Sequence, residues 1–213
     1  MATPLSQRSL ILLAGGESRR MGRNKAYLPL AGEPMAARIL HRLKGVGKPL
    51  LAAGCRPFPS IPGIPVVQDH WPGCGPLAGI HAGLVYGNSE LNLVVACDMP
   101  FVSRELAGFL LEKAEKIPGA DALVPRAEGR IHPLFAVYRR RTFPFLEEIL
   151  QENTDRSVTR FLERTDTIEV GEEEWHHLAD PRLALLNMNR PGDYDQVRKR
   201  VEQEHTKNHP YPD

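Results

Sequence analysis

The sequence predicts an α/β fold in three layers, with a mostly parallel central sheet and helices on both of its faces. Two observations carry this prediction. Short unbroken apolar runs recur along the chain, each the length of a strand buried on both faces of a parallel sheet. Between them lie segments with helical spacing, several opened by Pro or Ser, and that alternation is the pattern of an α/β domain. A chain of 213 residues fits one such domain better than two, because domains most often hold about 100–200 residues.

The first strand is expected at Ser9–Ala14 (SLILLA), which is apolar throughout and stops at Gly15-Gly16. Similar runs predict strands at Pro49–Ala53, Pro65–Gln68, Leu91–Cys97, Ala122–Pro125 and Pro133–Tyr138. Helices are expected at Pro34–Leu43, Pro76–Tyr86, Ser103–Lys116, Thr142–Gln151, Ser157–Glu163 and Pro191–Glu204. Thr167–Asp180 is acidic and poorly periodic and receives no element. The polar, Pro-containing tail 205–213 is expected to fray, which leaves 1–204 as a single domain.

Composition excludes several classes. Hydrophobic residues at 42% and charged residues at 25% are near globular averages, against disorder or a fibrous repeat. A net charge of +1 lacks the basic excess of a nucleic-acid-binding domain, so any anion site must be local. Cys55, Cys74 and Cys97 are odd in number and show no CxxC spacing, the pattern of reduced thiols rather than of a disulfide framework or zinc site. Arg8 followed by Leu10–Ala14 imitates a signal peptide, but the run is shorter than the roughly 7–15 residues of a secretory core and the roughly 20 of a membrane span. The expected protein is soluble and cytoplasmic, with neither membrane nor nucleic acid as partner.

The stretch from Leu13 to Lys25, LAGGESRRMGRNK, follows the first strand and has the composition of a phosphate loop. Glycines allow backbone N–H groups to turn onto an anion, and Arg19, Arg20, Arg23 and Lys25 outnumber the single acid Glu17. It is not a Walker A loop, since Arg23 follows Gly22 and Ala26 follows Lys25, and it is not GxGxxG. Arg20 and Arg23 read equally well as solvated charges.

A second candidate is Asp98, which follows the apolar run Leu91–Cys97 and precedes Met99-Pro100. Proline discourages continuation of the ladder, so the carboxylate is expected at the carboxyl edge of the sheet, where ligands of open α/β sheets bind. A hard cation such as Mg²⁺ takes carboxylate, water and phosphate oxygens together, which makes Asp98 the leading metal ligand, although an isolated Asp there also serves as a turn or cap. Gly75, Gly79 and Gly83 recur every four residues after Asp69 in VVQD. Glycine inside a helix costs about 1 kcal/mol relative to alanine, so either a ligand approaches that face or the helix packs closely on the sheet. Further on, Arg130 could bind phosphate, and His132 beside Pro133 reads as structural or as substrate-binding. Asn187 and Asn189, two apart on a segment predicted as a strand, a turn and then a helix, would point the same way. Glu172–Glu174 with His176 and His177 lack metal spacing and read as a solvated rim, and Arg139–Arg141 as surface charge.

These motifs together resemble one family. LAGGESRRMGRNKA, GPLAGIHAGL, VVACDMPF, RIHPLFAVY and NMNRPGDY are similar to the corresponding segments of the molybdopterin-guanine dinucleotide biosynthesis nucleotidyltransferases, over essentially the whole chain to Tyr194. The resemblance implies a Rossmann-like nucleotidyltransferase fold and an Mg²⁺-dependent transfer of GMP from GTP to a molybdopterin-type cofactor, with pyrophosphate released. It implies nucleotide contacts at Leu13, Ala14, Gly15, Gly22, Asp69, Gly75 and Gly79, charge neutralisation by Arg19 and Lys25, and metal binding at Asp98. Arg130, His132, Asn187 and Asn189 would then meet the acceptor, and GTP and the molybdopterin-type cofactor would be joined as partners by molybdoenzyme maturation proteins. Two departures matter: Leu51–Gly54 lacks an Asn that commonly follows the family's second strand, and Arg190 replaces a usual Thr. The first keeps open a sister enzyme using CTP or a sugar phosphate. A non-catalytic GTP-binding cofactor carrier is the reading from a different class.

Overall fold

A computed structural model of the chain describes residues 7–15, 25–54, 61–71, 73–152, 155–189 and 191–208, of which 191 and 203–208 in backbone only. Its strands are β1 (Arg8–Leu13), β2 (Pro29–Leu30), β3 (Glu33–Pro34), β4 (Lys48–Ala52), β5 (Val66–Val67), β6 (Leu91–Ala96), β7 (Ala122–Ala127), β8 (Arg130–Ile131), β9 (Phe135–Arg139) and β10 (Thr167–Val170). Its helices are α1 (Met35–Arg42), α2 (Pro76–Gly87), α3 (Arg104–Lys116), α4 (Phe143–Gln151), α5 (Val158–Glu163), α6 (Glu172–Trp175), α7 (Pro181–Ala184) and α8 (Pro191–Asn208).

The main sheet runs β10-β7-β9-β6-β1-β4-β5, with β8 paired to β7. β1 is parallel to both β4 and β6, and β4 to β5. The apolar runs become these strands because both faces are covered: all six residues of β6 are buried, and Ile11 and Leu12 of β1 are fully so. One core lies against α1, α3 and α8, through Ile39, Leu110 and Val201 among others. The second lies against α2, α4 and α5, through Ile80, Ile149 and Phe161. The predicted three layers are therefore present. The departure from parallel order is β9, which enters antiparallel between β6 and β7.

Helix starts follow their caps. Ser103 and Ser157 accept from the amides of Leu106 and Arg160, which sets the first turns of α3 and α5 one residue inside the predicted starts. Several expectations are corrected. Thr167–Val170, assigned no element from its acidic pattern, is an edge strand parallel to β7. Residues 186–189, in the segment expected to begin as a strand, have no regular structure. Helix α8 runs to Asn208 instead of stopping at Glu204, and residues 209–213 lie outside the described ones. A short hairpin, β2 with β3, was not foreseen; its two-residue turn at Ala31 (φ 48°) and Gly32 (φ 83°) has the paired positive φ of a tight hairpin.

Arg139 is not surface charge. It is buried, and its guanidinium donates to the carbonyls of Ala114 (2.6 Å) and Ala120 (2.8 Å) and to Glu90 Oε1 (2.8 Å). Ala114 belongs to the last turn of α3, whose carbonyls have no partner within the helix, so the arginine closes that end.

The glycine spacing of α2 is explained by the sheet beneath it. A Cβ on Gly79 would stand 3.1 Å from Leu13 Cδ2, and one on Gly83 only 2.5 Å from Ile11 Cγ2. Gly83→Ala is expected to destabilise the fold by about 1–3 kcal/mol, the range of overpacking in a filled core. Gly79→Ala, with a wider gap, is expected to cost less. Paired denaturant titrations would show the order, and equal midpoints for the two variants would contradict it.

Candidate active site

The carboxyl ends of β1, β4, β5 and β6 lie side by side. The Ala14 amide donates to the Ala52 carbonyl (2.8 Å), Ala53 to Val67 (2.9 Å) and Cys97 to Leu13 (3.1 Å), so the chain leaves all four strands at one edge. β9 begins at this edge because it runs the other way, and the Ala96 amide reaches the Leu134 carbonyl at 2.8 Å. Main chain meets main chain at Gly15 and Gly54. A Cβ on Gly15 would lie 2.5 Å from the Gly54 nitrogen, and Gly54 has φ +67°, so both positions exclude a side chain. In the sequence Gly54 stands out only as the end of Leu51–Gly54, where an Asn is missing; its contact with Gly15, 39 positions upstream, has no local signal.

Lys25 begins the short 3-10 turn Lys25–Tyr27 that returns from the glycine-rich loop. Its Nζ lies 2.9 Å from Asp98 Oδ2, with the two side chains 14% and 18% exposed. The same ammonium donates to Asn189 Oδ1 (3.2 Å) and to the Met188 carbonyl. Three segments of the chain thus converge on one ammonium. The carboxy-terminal segment has two further ties beside those to Lys25: the Met188 amide donates to the Asp98 carbonyl (2.9 Å) and the Asn189 amide to Asp193 Oδ2 (2.8 Å). Asn187 and Asn189 are both exposed while Met188 between them is buried, the alternation expected of an extended stretch. Tyr194 Oη reaches the Pro29 carbonyl at 2.6 Å and fastens α8 to the hairpin beside Lys25.

Asp69 follows β5 at the same edge. Its Oδ1 is buried with no hydrogen-bond partner among the described residues, and burial raises its pKa against the lowering effect of His70. Gly75 caps α2 in a conformation open to glycine alone (φ 66°, ψ −150°), and as a glycine it offers no side-chain cap to the first-turn amides. Gly79, in the first turn of the same helix, lies close to Leu13 and Ala52 of the sheet. Arg130 is exposed on β8, in the hairpin that β7 and β9 send to this edge. His132 is half-buried; burial lowers its pKa while a hydrogen bond to the Ala127 backbone raises it. Neither has a described contact to the Lys25–Asp98 pair. Arg19 and Gly22, with Glu17, Arg20 and Arg23, lie outside the described residues.

No group of three or more His, Cys, Asp or Glu side chains able to hold a metal occurs among the described residues. What the edge offers a cation is the Asp98 carboxylate, since Asp69 leaves β5, three strand positions away in the order β6-β1-β4-β5. That donor set suits a hard cation that keeps water and substrate oxygens in most of its positions, as Mg²⁺ does, and not a metal bound wholly by protein. Next to Asp98, burial pushes the Cys97 thiol up to about 12, so it remains a protonated core group.

The model of the MobA-like NTP transferase domain matches residues 10–168. A protein of Pelotomaculum thermopropionicum named "Probable molybdenum cofactor guanylyltransferase" is 39% identical, over 92% of this chain and 94% of its own. The molybdenum cofactor guanylyltransferase of Rhizobium johnstonii is 31% identical, over 90% and 92% of the two chains. The crystal structure of molybdopterin-guanine dinucleotide biosynthesis protein A from Archaeoglobus fulgidus superposes with a TM-score of 0.78 at 25% identity, covering 92% of this chain and 99% of that one. By the span of that match and the identity to these relatives, this chain belongs to the MobA-like NTP transferases.

Proposed function

We propose that this protein is a guanylyltransferase that passes GMP from GTP to a molybdopterin-type cofactor, forming the guanine dinucleotide and pyrophosphate. The observation that carries the reading is the 2.9 Å approach of Lys25 to Asp98 at the carboxyl edge of the sheet. A basic and an acidic group so placed can share one triphosphate, the lysine on phosphate oxygens and the carboxylate on the accompanying cation. The names of the relatives supply the base and the acceptor.

In this reading a phosphate oxygen of the acceptor attacks the α-phosphorus of GTP, and the bond to the β-phosphate breaks as pyrophosphate leaves. No protein nucleophile is needed, because the acceptor phosphate is already ionised at neutral pH; positioning and electrostatics carry the rate. Lys25, with Arg19, neutralises the phosphates, and Leu13, Ala14, Gly15 and Gly22 bring main chain against them. The uncapped amides at Gly75 face the same anion. Asp69 supplies an acceptor for nucleotide donors, which accounts for its unpartnered oxygen. Asp98 would hold Mg²⁺, whose chemistry is to offset charge on the phosphate oxygens. Guanine selection is assigned to main chain at Gly54, where a side-chain amide is missing. Asn187, Asn189, Arg130 and His132 meet the acceptor. The work is assigned to the cytoplasm, with molybdoenzyme maturation proteins as partners; no helix among the described residues is long and apolar enough to cross a membrane.

The direct test supplies each nucleoside triphosphate with molybdopterin and Mg²⁺ and identifies the dinucleotide by mass. GTP alone should yield product. Equal incorporation from CTP would move the chain to a sister specificity, and nucleotide binding without any pyrophosphate would make it a carrier.

A further inference from the structure

His81 is buried in α2 (2% exposed), facing α4 from a helix otherwise built there of Leu, Ala, Gly and Ile. Its Nε2 lies 3.1 Å from Glu147 Oε1. An ionised carboxylate only accepts, so Nε2 carries the proton and Nδ1 is left as an acceptor; Nδ1 has no partner among the described residues. Burial lowers the pKa of the ring and keeps it neutral. A leucine would fill such a place without an orphaned nitrogen, so packing alone does not account for the imidazole.

What the imidazole provides is a polarised edge for an aromatic partner. The Trp71 ring stands perpendicular to it, centroids 4.7 Å apart at 89°, and Phe143 closes on His81 at 6.3 Å. Such edge-to-face pairs fix orientation as well as burying area. Trp71 stands two positions after Asp69, and its carbonyl accepts from the Cys74 amide at 3.2 Å. Before Asp69, the Val67 carbonyl is tied to Ala53. The unpartnered carboxylate is therefore strung between two anchored points, one on the sheet and one on α2.

We propose that Trp71, seated on His81 and through it on Glu147 of α4, is a positioning group that fixes Asp69 at the nucleotide edge. The inference rests on the reading of Asp69 as a nucleotide contact.

A double-mutant cycle on the full chain tests it, with GTP and Mg²⁺ as the probe in calorimetric titration. Trp71→Ala is expected to weaken GTP binding roughly 3–10-fold, the span that loss of one aromatic pair produces. In an Asp69→Ala background the same change should add less than about twofold, because the two act as a unit. Trp71→Phe should restore binding to within about twofold of the wild type. His81→Leu, which leaves Trp71 in place and removes the link to Glu147, should weaken GTP binding in the same direction without adding to Trp71→Ala, and it carries the test alone if the Trp71 variant does not fold. KM for the acceptor should stay unchanged throughout. Effects of Trp71 and Asp69 that multiply, or a lowered melting temperature with GTP affinity intact, would overturn the positioning role. If Asp69→Ala alone leaves GTP binding intact, the nucleotide contact at Asp69 is what fails.

Discussion

Asp98→Asn is expected to lower turnover about 10²–10³-fold, the cost of removing one preorganised group that opposes transition-state charge. The substitution is nearly isosteric and its amide oxygen can still accept from Lys25, so the contact at 2.9 Å survives in form while its negative charge is lost. The backbone carbonyl of residue 98 still receives the Met188 amide, which keeps the carboxy-terminal segment in place. Thermal stability should therefore change little, within about 1 kcal/mol, or roughly 2–4 °C for a chain of this size. Steady-state pyrophosphate release and a melting curve on the same preparation decide the matter. Near-normal turnover would remove Asp98 from the metal site, and a collapsed melting temperature would make its role structural.

Lys25→Met is expected to cost a similar factor, about 10²–10³-fold, but with a different physical signature. Methionine keeps the aliphatic stem and deletes the ammonium, so Asp98, the Met188 carbonyl and Asn189 Oδ1 all lose their shared donor. Hydrogen exchange at the Met188 and Asn189 amides should accelerate in this variant and remain slow in Asp98→Asn, where the lysine persists. Lys25→Arg should recover little, because a planar fork cannot present its donors to three acceptors that a compact ammonium reaches from one point. Equal exchange rates in the two variants would show that Met188 and Asn189 are held by Asp98 and Asp193 alone.

How much of this site was legible beforehand depends on the range of each signal. The loop LAGGESRRMGRNK and the aspartate ending LNLVVACD are local patterns, readable because a buried strand followed by glycines or by an acid before proline has few other uses. The helix of small residues was legible as a helix, whereas the reason for its glycines was not. Only the side chains beneath it, Leu13 and Ile11, show how closely Gly79 and Gly83 approach the sheet. Arg139 was misread for the same reason, since nothing near it in sequence announces that the end of α3 lies above it.

The sequence by itself determined the alternation of strands and helices, the caps at Ser103 and Ser157 and the acid at the end of β6, all encoded within a few neighbouring residues. The tertiary structure alone decided which groups meet: Lys25 with Asp98 across 73 positions and with Asn189 across 164, Gly15 with Gly54, and Trp71 with His81. Burial periodicity and capping are properties of a single segment, so they can be written locally. Convergence at one edge is set by strand order and by the reversal of β9, and those follow from how whole layers pack on one another.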